Sequence, residues 1–188
     1  MISRDINSSY FQTFYVSRET SNSPLIAEIL KINKKFDEKG ILENAKLIVS
    51  LRYGKRILIN GNYSDISEVN VENFLEIVDY DPVKKIVLAI GKNEPCIETP
   101  LHWLIHHARD DINAVIQLNG EKILKKSYPN IPTTEKEWPV GTFELVKEVL
   151  KTLRNSKKIL IKNIGVLFVG INSREAEELT LKTFEESL

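Results

Sequence analysis

Apolar positions along the chain change period several times, and each change predicts an element. Leu25, Ile29, Ile32 and Phe36 keep the repeat of a helix lying on a core. Ser23-Pro24 provides a cap and a first-turn proline, and Gly40 a stop. Residues 46–52 and 56–60 are apolar runs about Tyr53-Gly54-Lys55, the pattern of a hairpin. A second turn signal stands at Asn60-Gly61-Asn62, and residues 74–80 and 85–90 form another strand pair about Asp81-Pro82. From Glu98 to Arg109 the period returns to helical, through Leu101, Leu104, Ile105 and Ala108. Residues 112–118 read as a buried strand, and residues 143–153 as a helix with Phe143, Val146, Val149, Leu150 and Leu153 inward. Residues 158–161 and 166–169 are strands about Asn163-Ile164-Gly165, and a closing helix over 174–187 is capped by Asn172 or Ser173. Residues 1–23 are polar, with aromatics at Tyr10, Phe11, Phe14 and Tyr15. They read as an irregular extension that docks on the core or on a neighbouring subunit. The expectation is one α/β domain over residues 24–188, with a largely antiparallel or mixed sheet.

Composition narrows the function classes. The 188 residues carry 26 Lys+Arg against 26 Asp+Glu, so the chain is neutral. No strong field is available for nucleic acid, and Lys125-Lys126 and Lys157-Lys158 are too short to supply one. A single cysteine excludes a disulfide framework and a Cys-based structural zinc site. No apolar run approaches the roughly 20 residues of a membrane span. The start of the chain lacks a signal-peptide pattern, so a cytoplasmic protein is expected, and the Asn-x-Ser triplets at Asn7 and Asn62 carry no glycosylation meaning.

The chemistry concentrates on the helix that begins at Glu98, which carries all three histidines. Glu98, His102 and His106 are spaced i, i+4, i+8 and share one face. Two histidines one turn apart can chelate a divalent metal, with the carboxylate completing the set. The competing reading is an amphipathic helix with His102 packed on strands and His106 and His107 facing water.

The stretch Pro95-Cys-Ile-Glu98-Thr-Pro-Leu-His102, followed by Arg109-Asp-Asp111 and the strand Ala114-Val-Ile116, resembles the central motif of the class II aldolase/adducin family. Val49-Ser50-Leu51-Arg52, Gly141-Thr142, Asn163-Ile164-Gly165 and Glu175-Ala176 continue the resemblance, which spans about residues 25–188. It implies a three-layer αβα fold with a central, mainly antiparallel sheet. It also implies zinc held by three histidines, a glutamate that exchanges a proton, a sugar-phosphate substrate, and a homo-oligomer of the tetrameric kind.

The sequence departs from that pattern at its chemical centre. Gln117 and Asn119 stand at the His-x-His positions and Ile164 at the third histidine. Neutral amides are poor zinc ligands and isoleucine is none. The glycines and serines of the phosphate cradle are replaced by Asn44-Ala45-Lys46-Leu47-Ile48 and by Cys96-Ile97. The expectation is therefore a non-zinc pseudoenzyme or assembly module without a cofactor. Glu98 holds the proton-transfer position, and Gln117, Asn119, Asn163 and Gly61 remain to line a sugar-like pocket. Cys96 reads as an inert buried thiol or as a reactive one near a helix start. The alternative is an active sugar-phosphate aldolase or epimerase with zinc or another divalent metal on His102 and His106. A separate catalytic partner chain is a further arrangement.

Overall fold

In the computed structural model, residues 10–62 and 69–187 are described. The Asn7 triplet lies outside them. Among the described residues, eight strands form one sheet: β1 (Gln12–Ser17), β2 (Lys46–Tyr53), β3 (Arg56–Asn60), β4 (Phe74–Asp81), β5 (Ile86–Ile90), β6 (Ala114–Asn119), β7 (Lys158–Ile161) and β8 (Gly165–Gly170). The α-helices of the described residues flank it: α1 (Ile26–Glu38), α2 (Thr99–Ala108), α3 (Glu121–Lys125), α4 (Phe143–Leu153) and α5 (Ser173–Glu185). The strand order is β1-β5-β4-β3-β2-β6-β8-β7. Every pairing is antiparallel except β1 with β5.

Period-two alternation sends successive strand residues to opposite faces. On one face Leu47, Val49, Leu51, Ile116, Leu118 and Phe168 pack with Ile29, Ile32 and Phe36 of α1 and with Ala176 and Leu181 of α5. On the other, Val115, Leu167 and Val169 meet Leu101 and Ile105 of α2 and Val146 and Val149 of α4. Trp103 of α2 packs over Ile48, Ile57, Ile59 and Leu75. The sheet is thus a layer between two layers of helices, the three-layer arrangement that the resemblance implies. No helix among the described residues is long and apolar enough to cross a membrane.

Two expectations need correction. Residues 12–17, read as irregular, form the edge strand β1 alongside β5. Tyr15 is tied there, its hydroxyl donating to the Asn93 carbonyl (2.9 Å), and Arg18 lies over its ring. The opposite face of β1 is open, with Phe14 53% and Val16 61% exposed. Phe143, expected inward, is 50% exposed. It is the first residue of α4, and its ring lies beneath the Lys147 ammonium instead of in the core. The cap of α5 is Asn172, whose side chain accepts from the Glu175 N–H (2.9 Å).

Gly165 leaves no room for a side chain between β8 and β6. A Cβ built there would meet the Leu118 carbonyl at 2.0 Å and Asn119 Oδ1 at 2.7 Å. Gly165→Ala must therefore push β8 from β6. We expect it to lower the unfolding free energy by about 3 kcal/mol, read from urea midpoints, because overpacking at a rigid backbone contact costs this much.

Candidate functional site

The site is built by register. β2 and β6 pair so that Lys46 lies opposite Asn119, Ile48 opposite Gln117 and Ser50 opposite Val115. Even-numbered residues of β2 and odd-numbered residues of β6 share the face covered by α2. That places Lys46, Ser50, Gln117 and Asn119 beneath the stripe formed by Glu98, His102 and His106. Glu98 occupies the N-cap position of α2, where the helix dipole favours a negative charge.

These side chains form one directed chain of hydrogen bonds. Lys46 Nζ donates to both oxygens of Glu98 (2.8 and 3.1 Å). Asn119 Nδ2 donates to Glu98 Oε1 (3.1 Å), and Gln117 Nε2 donates to Asn119 Oδ1 (2.9 Å). Gln117 Oε1 faces His102 Nε2 (3.1 Å). His102 Nδ1 and His106 Nε2 then converge on Ser50 Oγ, at 2.7 and 2.9 Å. The far nitrogen of His106 faces the Ile112 carbonyl (3.2 Å), so it carries the hydrogen. With neutral rings, the single Ser50 hydrogen serves one ring at a time.

Burial, reinforced by the neighbouring His106, lowers the pKa of His102 to about 3. Burial outweighs the Ile112 carbonyl and lowers His106 to about 4, with Arg52 adding to the effect. Burial and the Glu98 charge push the Cys96 thiol up to about 12, so the inert reading of this cysteine fits and the reactive one does not.

The donor set does not fit the zinc implied by the sequence resemblance. The oxygens of Gln117 and Asn119 are engaged, one with His102 and the other with the Gln117 amide, and an ammonium lies against the carboxylate. Ile164 packs in the apolar cluster with Leu101 and Leu167. Nor do His102 and His106 fit a relocated metal. The point on which their nitrogens converge is filled by Ser50 Oγ, and their outer nitrogens are taken by Gln117 and Ile112. Among the described residues, no three His, Cys, Asp or Glu side chains come together to hold an ion.

Of the residues expected at the site, the structure joins Glu98, His102, His106, Gln117 and Asn119. Asn163 instead sits exposed in the β7–β8 turn with φ 59, a conformation asparagine tolerates well. Gly61 lies at the end of β3, its N–H donating to the Asn73 carbonyl (2.6 Å). Three members of the neighbourhood, Lys46, Ser50 and Arg52, were given no place at the site from the sequence. Arg52 donates to the carbonyls of His106, Arg109 and Ile112, and so ties off the end of α2. The alternation of β2 carried a signal for all three, since their even positions face α2.

The histidines yield a pH prediction. Their folded pKa values lie below the ordinary 6.5, so the unfolded chain binds more protons between about pH 4 and 6.5. Stability is complete above that window and is lost as pH falls through it, by up to about 1.4 kcal/mol per pH unit for each histidine. Urea midpoints measured from pH 7.5 to 5 should fall accordingly. A flat profile would refute the neutral buried pair.

Residues 27–118 match the family described as the class II aldolase and adducin N-terminal domain. No curated protein matches the chain. Among solved structures, an L-fuculose 1-phosphate aldolase superposes with TM-score 0.72 at 19% identity, over 89% of this chain and 84% of that one. The L-fuculose-1-phosphate aldolase of Thermus thermophilus gives 0.65 at 16% identity, over 86% and 90%. The N-terminal class II aldolase domain of a conserved Thermoplasma acidophilum protein gives 0.61 at 14%, over 89% and 93%. Residues 27–118 thus match the class II aldolase and adducin N-terminal domain in sequence, and most of the chain shares the fold of class II aldolases.

Proposed function

We propose that this protein is a zinc-free member of the family that has lost aldol cleavage and keeps a small polar site beside Glu98 for a neutral polyol or sugar-like molecule, on a self-associating scaffold. The observation that carries this reading is the closed chain Lys46–Glu98–Asn119–Gln117–His102. Aldol cleavage develops negative charge on the ketose oxygen, and zinc supplies several kcal/mol of its stabilisation in enzymes that use it. Here the corresponding positions hold amides that orient one another and a lysine that neutralises the acid. Asn119 and Lys46 are half-buried, so the cluster meets solvent at that end.

Two further features support the reading. The segment 44–48 leading into β2 lacks the glycines that bring backbone N–H groups to a phosphate, and its cation, Lys46, is paired with Glu98. Edge strand β1 carries Phe14 and Val16 outward, an apolar strip suited to contact with an identical chain. A cytoplasmic setting fits the single buried thiol. The rival reading, a sugar-phosphate lyase with a metal on His102 and His106, finds its coordination point filled by Ser50.

Elemental analysis of the purified protein should find far less than one zinc per chain. About one zinc, lost on mutating Gln117 or Asn119, would overturn the proposal. Calorimetry with ketose phosphates should give affinities weaker than about 10 µM, near −7 kcal/mol. Retro-aldol assays on fuculose, rhamnulose and ribulose phosphates should show no turnover with or without divalent metals. Glu98→Gln should leave folding intact, since the isostere keeps the volume beneath Lys46. Metal-dependent turnover that disappears in Glu98→Gln would restore the lyase reading.

A further inference from the structure

The misfit with zinc has a positive side, because the acid at the site is not left without a cation. Lys46 Nζ lies 2.8 Å from Glu98 Oε2 and 3.1 Å from Oε1. The two side chains differ sharply in access, at 37% exposed for Lys46 and 4% for Glu98. A molecule arriving from solvent meets the ammonium first and the carboxylate behind it.

We propose that Lys46 and Glu98 form a metal-free carbonyl site, in which the Lys46 ammonium holds the oxygen of a small α-hydroxy ketone or aldehyde while Glu98 removes and returns a proton at the adjoining carbon. The proposal rests on the reading of a small neutral ligand beside Glu98 and adds a reaction to it. Lysine brings three N–H donors on a flexible four-carbon stem. Two of its contacts are with the carboxylate, and a short swing transfers one donor to a carbonyl oxygen. That swing uncovers a Glu98 oxygen, while the other stays held by Asn119 Nδ2 at 3.1 Å. Gln117 fixes the direction of Asn119 by donating to its oxygen, so Gln117 is a positioning residue.

The step balances without a co-reactant. The proton on the carbon passes to Glu98. The C–H electron pair becomes a carbon–carbon double bond, and the carbonyl π pair moves to oxygen, where the ammonium stabilises it. Reversal returns the proton, or a deuteron once Glu98 has exchanged with heavy water. No carbon–carbon bond breaks. One positive and one negative side chain cancel, so the site calls for a neutral ligand and not a phosphorylated one.

The test is proton NMR of hydroxyacetone in D2O with the full-length protein, a chelator present throughout. Wild type should accelerate loss of the CH2OH signal above the rate with an equal concentration of the Lys46→Met, Glu98→Gln double variant. Lys46→Met and Glu98→Gln should each reduce the rate on the order of a hundredfold. Lys46→Arg, which keeps a cation, should restore part of it, and circular dichroism should show all variants folded. Borohydride added with hydroxyacetone should leave the protein mass unchanged. Exchange no faster than background, exchange indifferent to Lys46→Met or Glu98→Gln, or a reduced adduct on Lys46 would each overturn the proposal. If calorimetry still shows hydroxyacetone binding while exchange is absent, only the reaction falls. If the chelator abolishes an exchange that zinc restores, the zinc-free reading falls with it.

Discussion

The pairing of β2 with β6 is the constraint on which the rest of the site depends. Its register puts Lys46 beside Asn119 at one end and Ser50 beside Val115 further along, beneath the next turns of α2. Because side chains alternate with a period of two, a slip of one residue would turn Lys46 and Ser50 to the opposite face, among Ile29, Ile32 and Phe36. Two features hold the register against such a slip. Arg52 bonds to the carbonyls that end α2, and Asn60 inserts its side chain into the backbone of β2, accepting from Val49 N–H and donating to the Leu47 carbonyl. Both link the strand to a neighbour at a single position.

The losses from the family pattern are correlated. One histidine replaced by an amide in an otherwise unchanged site would leave a buried polar group without a partner, at a cost of roughly 1–3 kcal/mol. Here Gln117, Asn119 and Lys46 satisfy each other and Glu98, so the carboxylate keeps a full set of donors. Removal of any one member exposes the others to the desolvation penalty that paired burial avoids. The cluster is therefore a self-consistent way of holding a carboxylate at the start of α2.

Much of this was legible in the sequence because it depended on local period. The bounds of α4, the hairpin at Gly54, and the stripe of Glu98, His102 and His106 follow from spacing alone. What escaped depended on distant partners. Strand β1 is short, and its parallel partner β5 lies far along the chain, beyond α1 and three intervening strands. Phe143 matched the helical period but is the first residue of α4, and it is Leu145 and Val146 that carry this turn into the core. Lys46 looked like one more departure from a phosphate loop. Only its register with Asn119 reveals that it faces Glu98.

The single hydroxyl hydrogen of Ser50, flanked by two imidazole nitrogens at 2.7 and 2.9 Å, gives the interior an unusual property. Its two orientations make the same number of hydrogen bonds and move no heavier atom. The Ser50 dipole thus has two alternative directions inside a close-packed layer. A charge appearing or vanishing at the Glu98 end of the chain meets a medium that reorients at once, so the dry core beneath α2 is more polarisable than its apolar walls suggest.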